Sequence, residues 1–155
     1  MNNQLKLEKY SLLEAELKAL VSGNDALISS LSNFTAAIQS HFNYLWVGFY
    51  LVEDKELILG PFQGPIACTK IAFDRGVCGR SWSNKTTFLV NDVHQFPGHI
   101  ACSSDSNSEI VVPLLDKAGE VLAVLDIDSS DFNYFDEIDQ TWLEKIIKWF
   151  VSEVY

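Results

Sequence analysis

The chain has 155 residues, of which 48% are hydrophobic and 21% charged. These are ordinary proportions for a globular domain that buries roughly two-thirds of its unfolded surface. A net charge of −10 with no cluster of Lys or Arg opposes binding to nucleic-acid phosphates. The densest apolar run, Tyr44 to Val52, has the length of a strand and falls short of the ~20 residues a membrane span needs. The start Met1-Asn2-Asn3-Gln4-Leu5-Lys6 lacks the charged-then-apolar plan of a signal peptide. The expectation is a soluble cytoplasmic protein with residues 1–155 in a single domain and no membrane or nucleic-acid partner.

In chain order, Leu5, Leu12, Leu13, Leu17, Leu20 and Val21 recur at helical spacing, and Ser22-Gly23 supplies a stop. Asn24 is placed to cap a second helix, roughly Asp25 to His41, with Leu27, Leu31, Phe34 and Ile38 on one face. Two amphipathic helices within residues 1–42 suit a sheet face or a partner chain.

Tyr44 to Val52 reads as a strand, and Glu53-Asp54-Lys55 as the hairpin turn into Glu56 to Leu59. Strand alternation sends Tyr44, Trp46, Gly48 and Tyr50 one way and Leu45, Val47, Phe49 and Leu51 the other. The second set reads as core. The first leaves either an aromatic-walled slot over bare Gly48 backbone or two aromatics packed beneath a helix.

Gly60-Pro61-Phe62-Gln63-Gly64-Pro65 reads as a breaker-rich connection, followed by a short strand around Ala67 to Ile71. Phe73 to Trp82 resembles a turn entering a short helix, which puts Cys78 in its first turn. There the peptide dipoles would favour a thiolate. Thr87 to Val90 is a strand feeding the loop Asn91 to His99. Strands Glu109 to Leu115 and Glu120 to Ser129 are joined by the loop Asp116-Lys117-Ala118-Gly119, and Pro113 marks an edge or a bulge. Asp136 caps a last helix carrying Ile138, Trp142, Ile146 and Phe150. The order of elements predicts an α+β fold: an antiparallel sheet flanked by helices, two of them N-terminal and one C-terminal.

Three cysteines, Cys68, Cys78 and Cys102, are an odd count with no CxxC pair, a weak pattern for structural zinc. They are either buried inert thiols or redox thiols. Cys102 follows the Pro/Gly-broken loop Phe96-Pro97-Gly98-His99-Ile100-Ala101, with His94 and His99 nearby; those histidines receive no catalytic role. Asp126 and Asp128 stand two apart on a strand and share a face, where mutual repulsion in a closed pocket would raise at least one pKa. The alternative is a solvent-facing strand end. Glu109, heading a neighbouring strand, is a third acid able to converge on them. Cys102 as a redox nucleophile, with the acids holding and protonating its substrate, is the reading of this stretch. Because a negative field raises a thiol pKa, the substrate would have to relieve the charge, as one carrying an ammonium group does.

The chain resembles GAF domains, and among them the free methionine-(R)-sulfoxide reductases, from about Tyr44 to Phe150. The segments carrying the likeness are Trp46-Val47-Gly48-Phe49-Tyr50, Leu59-Gly60-Pro61-Phe62-Gln63-Gly64, Ala67-Cys68, Gly76-Val77-Cys78-Gly79, Asp92-Val93-His94, Phe96 to Cys102, Ser108 to Pro113 and Val124 to Ser129. The resemblance implies that Cys102 attacks the sulfoxide sulfur, that Cys68 resolves the resulting sulfenic acid as a disulfide, and that Cys78 is an auxiliary thiol. It implies that Trp46 and Tyr50 wall the methyl-sulfur end, while Glu109, Asp126 and Asp128 bind the polar groups and polarise the sulfoxide oxygen. It further implies a thioredoxin-type reductant, no metal or other cofactor, and a homodimer. A non-catalytic GAF sensor of a small molecule or of redox state is the competing expectation.

Overall fold

The computed structural model describes residues 2–100 and 102–155; Ala101, inside the loop motif, and Met1 lie outside the described residues. Seven consecutive residues from Trp46 to Val52 alternate between two apolar environments, and this alternation builds the centre of the sheet. The strands are β1 (Trp46–Glu53), β2 (Glu56–Gln63), β3 (Lys70–Ala72), β4 (Phe88–Val90), β5 (Ser108–Leu115) and β6 (Val121–Ser129). They form one six-stranded antiparallel sheet in the order β3-β2-β1-β6-β5-β4. The helices are α1 (Asn3–Leu20), α2 (Leu27–Phe42), α3 (Gly76–Asn84) and α4 (Glu137–Val154). This is the antiparallel α+β arrangement expected from the order of elements.

The two faces of the sheet carry separate cores. Val47, Phe49, Ile110, Val112, Leu125 and Ile127 pack under α1, α2 and α4, where Phe34 meets Phe49 and Phe150 edge-on at centroid distances of 5.2 and 5.0 Å. The opposite face buries Trp46, Tyr50, Val77, Cys78, Val111 and Val124, with α3 lying over it. Tyr44 precedes β1 and joins the helical side, so the alternation assigned to it from sequence holds only from Trp46 onward.

Several local expectations shift. The second helix starts at Leu27, with Ala26 at the cap position and no side-chain bond there; Asn24 does not cap it. The last helix begins as foreseen, with Asp136 and Asp139 forming a reciprocal capping box. On α1 the buried face is Lys6, Tyr10, Leu13 and Leu17, while Leu12 is 62% exposed and Leu5 and Leu20 also face outward. The reason is polar. Lys6 Nζ donates to Asp136 and Asp139 at 2.8 and 2.7 Å, and Tyr10 donates to Asp139 at 2.8 Å, so the face that satisfies buried Asp139 is the one turned inward.

β2 runs through Gly60-Pro61, which read as a connection in the sequence. The β1–β2 register shifts between Gly48 and Tyr50, and β3 pairs only with Glu56 to Ile58, so Pro61 sits where no further strand asks for its missing N–H. Pro113 follows the same logic. It pairs with Val124 of β6 and lies beyond the reach of β4, whose pairing with β5 stops at Val111. No helix among the described residues is long and apolar enough to cross a membrane.

Candidate active site

Register across β1, β6 and β5 assembles the acids. Trp46 lies opposite Asp128, and Asp128 opposite Glu109, so these three side chains form one row on one face. The next row is Gly48, Asp126 and Val111, and the third contains Tyr50 and Val124. Asp126 and Asp128 share a face as the spacing required, and Glu109 converges on them.

Gly48 does not leave an open slot. A Cβ there would collide with the indole of Trp46 and with Phe62 Cβ, so the Trp46 ring itself covers the bare backbone. Trp46 stacks between Tyr50 and Phe62 at centroid distances of 5.9 and 5.4 Å. Its Nε1 donates to the Pro65 carbonyl at 3.2 Å, and Tyr50 Oη donates to the Cys68 carbonyl at 3.0 Å. The two aromatics are therefore buried side chains and pocket walls together. They also tether the 64–69 segment that carries Cys68.

That segment meets the loop after Pro97 through a disulfide between Cys68 and Cys102, with a Cα–Cα separation of 5.3 Å. Below it is a cavity of about 40 Å³, room for a few waters. Trp46 and Tyr50 wall it, Cys102 and Ile66 stand at its mouth, and Glu109, Asp126 and Asp128 form its floor. Cys78 lines the same cavity, its sulfur 4.0 Å from Glu109 Oε1. All the residues singled out from sequence as site candidates border this cavity except Cys68, which reaches it through its bond to Cys102.

The acids are unusual for a net charge of −10: Glu109 and Asp126 are only 5% and 7% exposed. Burial pushes the Glu109 carboxyl well above the usual carboxylate range, and the fields of Asp126 and Asp128 push it further. Burial, then Asp128, does the same to Asp126. Asp128 is raised by burial to about 6, with a hydrogen bond from Ser106 Oγ pulling the other way. The floor thus holds protons near neutrality.

Cys78 corrects the expectation drawn from helix position. It is the third residue of α3, but it is 3% exposed; burial and the Asp126 and Glu109 carboxylates push its thiol well up. Desolvation and like charge outweigh one turn of helix dipole. His94 is turned away, its Nε2 3.0 Å from Asn107 Oδ1. His99 borders the cavity with Nε2 3.7 Å from Glu109 Oε2, and burial lowers its pKa, so it brings little positive charge. Ser106 escaped sequence reasoning, for one serine in the polar run Ser103 to Ser108 carries no signal until the loop folds over Asp128.

The fold and this arrangement have counterparts among known proteins. The GAF domain family model matches residues 30–147. GAF domain-containing protein A of Dictyostelium discoideum is 53% identical over 92% of this chain and 90% of its own. The free methionine-R-sulfoxide reductase of Escherichia coli is 43% identical over 92% of this chain and 86% of its own. Among solved structures, a free methionine-R-sulfoxide reductase of Neisseria meningitidis in complex with its substrate superposes with a TM-score of 0.92 at 41% identity, covering 99% of this chain and 91% of that one.

Proposed function

As the chain belongs to the GAF domain family and, within it, to the free methionine-R-sulfoxide reductases, we propose that it reduces free L-methionine-(R)-sulfoxide to L-methionine at the cavity beneath Cys102. The observation that carries this reading is a half-buried Cys68–Cys102 pair standing over an acid floor and beside aromatic walls.

The chemistry follows from what each group offers. The Cys102 thiolate attacks the sulfoxide sulfur while a protonated floor carboxyl delivers its proton to the oxygen, a poor leaving group otherwise. The hydroxyl then passes from the methionine sulfur to Cys102: the methionine S–O bond breaks, methionine departs with the electron pair on its sulfur, and Cys102 is left as a sulfenic acid. The Cys68 thiol displaces that oxygen as water and closes the disulfide. A dithiol protein of thioredoxin type restores both thiols by exchange. Ionised members of Glu109, Asp126 and Asp128 hold the substrate ammonium, which offsets their field on the attacking sulfur. Trp46 and Tyr50 receive the methyl-thioether end, where sulfur–aromatic contact contributes up to roughly 1.5 kcal/mol. Cys78 serves as an auxiliary thiol beneath the acids, and the active unit is a homodimer in the cytoplasm.

The test is an assay of methionine release from both sulfoxide epimers, free and within a peptide, using a thioredoxin system as donor. Turnover is expected with the free R epimer alone, because the acids clamp a free α-amino group. Cys102→Ser should reduce turnover to background, whereas Cys68→Ser should yield one methionine per protein and then stall. Multiple turnovers by Cys102→Ser would falsify its place as nucleophile.

A further inference from the structure

Three ligand atoms of different chemistry meet in the pocket floor. Cys78 Sγ and one carboxylate oxygen each from Glu109 and Asp126 lie within 4.8 Å of one another, and all three residues are buried. Asp126 Oδ1 is buried and accepts no hydrogen bond among the described residues. A buried carboxylate oxygen without a donor is costly unless a cation or proton meets it. The Cys78 sulfur is 4.0 Å from Glu109 Oε1. Zn–S near 2.3 Å and Zn–O near 2.0–2.2 Å in a tetrahedron require roughly 3.6 Å between those atoms. A shift of a few tenths of an ångström closes that gap.

We infer that Cys78, Glu109 and Asp126 form a binding site for a borderline-soft divalent cation of the zinc class, its fourth position open to the cavity. Thiolate with two carboxylates selects zinc over magnesium or calcium, which take oxygen alone. A dipositive ion beside the three deprotonated ligands leaves a net charge of −1. Binding forms one Zn–S and two Zn–O bonds and releases to water the thiol proton and any proton held between the acids. The ion would occupy the floor of the cavity and so exclude any other ligand from it. Metal here is an inhibitor and has no part in turnover; the inference is independent of what the pocket reduces.

The oxidised protein isolates the site, because the Cys68–Cys102 disulfide leaves Cys78 as the free thiol. Cobalt(II) titrated into the full oxidised chain should produce a thiolate-to-cobalt charge-transfer band that saturates at one equivalent and is abolished by added zinc. Cys78→Ser should lose the band. Asp126→Asn, close to isosteric, should retain the thiol and weaken cobalt binding at least tenfold, with near-ultraviolet circular dichroism verifying that it is folded. Absence of the band in the unaltered protein, its persistence in Cys78→Ser, or undiminished affinity in a folded Asp126→Asn would each overturn the site.

Discussion

Gly48 is bare because the Trp46 indole needs the space above it, and the position couples core packing to the pocket wall. Gly48→Ala would set a methyl group against both the ring and Phe62. Overpacking of this kind costs about 1–3 kcal/mol, and the displaced ring should raise KM for the free sulfoxide more than it lowers kcat. Equilibrium urea unfolding and steady-state kinetics measure the two effects separately. Asp128 sets a pH dependence. Burial raises its folded value from 3.8 to about 6, so the folded protein holds this proton more tightly than the unfolded chain. The resulting stabilisation is full below pH 3.8 and is lost as pH rises through about 6. The loss amounts to about 1–3 kcal/mol, allowing for the partial solvent contact of the side chain. Asp128→Asn should therefore gain on the parent protein between pH 4 and pH 7.5 in denaturant melts. An unchanged difference across that range would remove Asp128 from the account.

At the scale of elements, α4 is held at its first turn. Asp136 accepts from Ile138 N at 2.8 Å and Asp139 N at 3.4 Å, while Asp139 accepts from Asp136 N at 2.8 Å. The same two carboxylates take the Lys6 ammonium and so fasten α1 to α4. Asp136→Ala should cost about 1–2 kcal/mol, the usual range for a lost cap. Asp139→Ala should cost more, about 3–5 kcal/mol, because it takes the acceptor from Tyr10 and from the Asp136 N–H and leaves buried Lys6 only the half-exposed Asp136 carboxylate. Chemical denaturation of both variants checks the order; equal losses would mean that the ion pair contributes nothing beyond the cap. The cap was visible in the sequence as an acid before an apolar periodic run. Lys6 was not, because a lysine between leucines reads as the solvated side of a helix until its partner 133 residues away is known.

For the whole molecule, the disulfide ties loops from opposite sides of the sheet order, one following β2 and the other preceding β5, across 34 residues of chain. Closing a loop of that length restricts the unfolded ensemble by about 4 kcal/mol in the chain-entropy model. The oxidised protein should therefore melt roughly 10 °C above the reduced one. Calorimetry with and without reductant measures the difference, and coincident melting temperatures would show that reduction leaves a compensating contact in place. In the proposed catalytic cycle the same difference favours the closed state and leaves the reductant to reopen it.

The chain by itself determined what depends on short-range periodicity. Alternation along β1 and β6 put Trp46 and Tyr50 on one face and Asp126 and Asp128 on one face, because a strand repeats every two residues whatever surrounds it. The tertiary structure alone decided which strands meet and in what register. That register set Glu109 across from Asp128 and Asp128 across from Trp46, brought Cys68 to Cys102, and buried Cys78 against the acids so that its thiol keeps its proton. Those contacts join residues tens of positions apart, and their electrostatics depend on the exclusion of water by both layers of the fold, which no local pattern encodes.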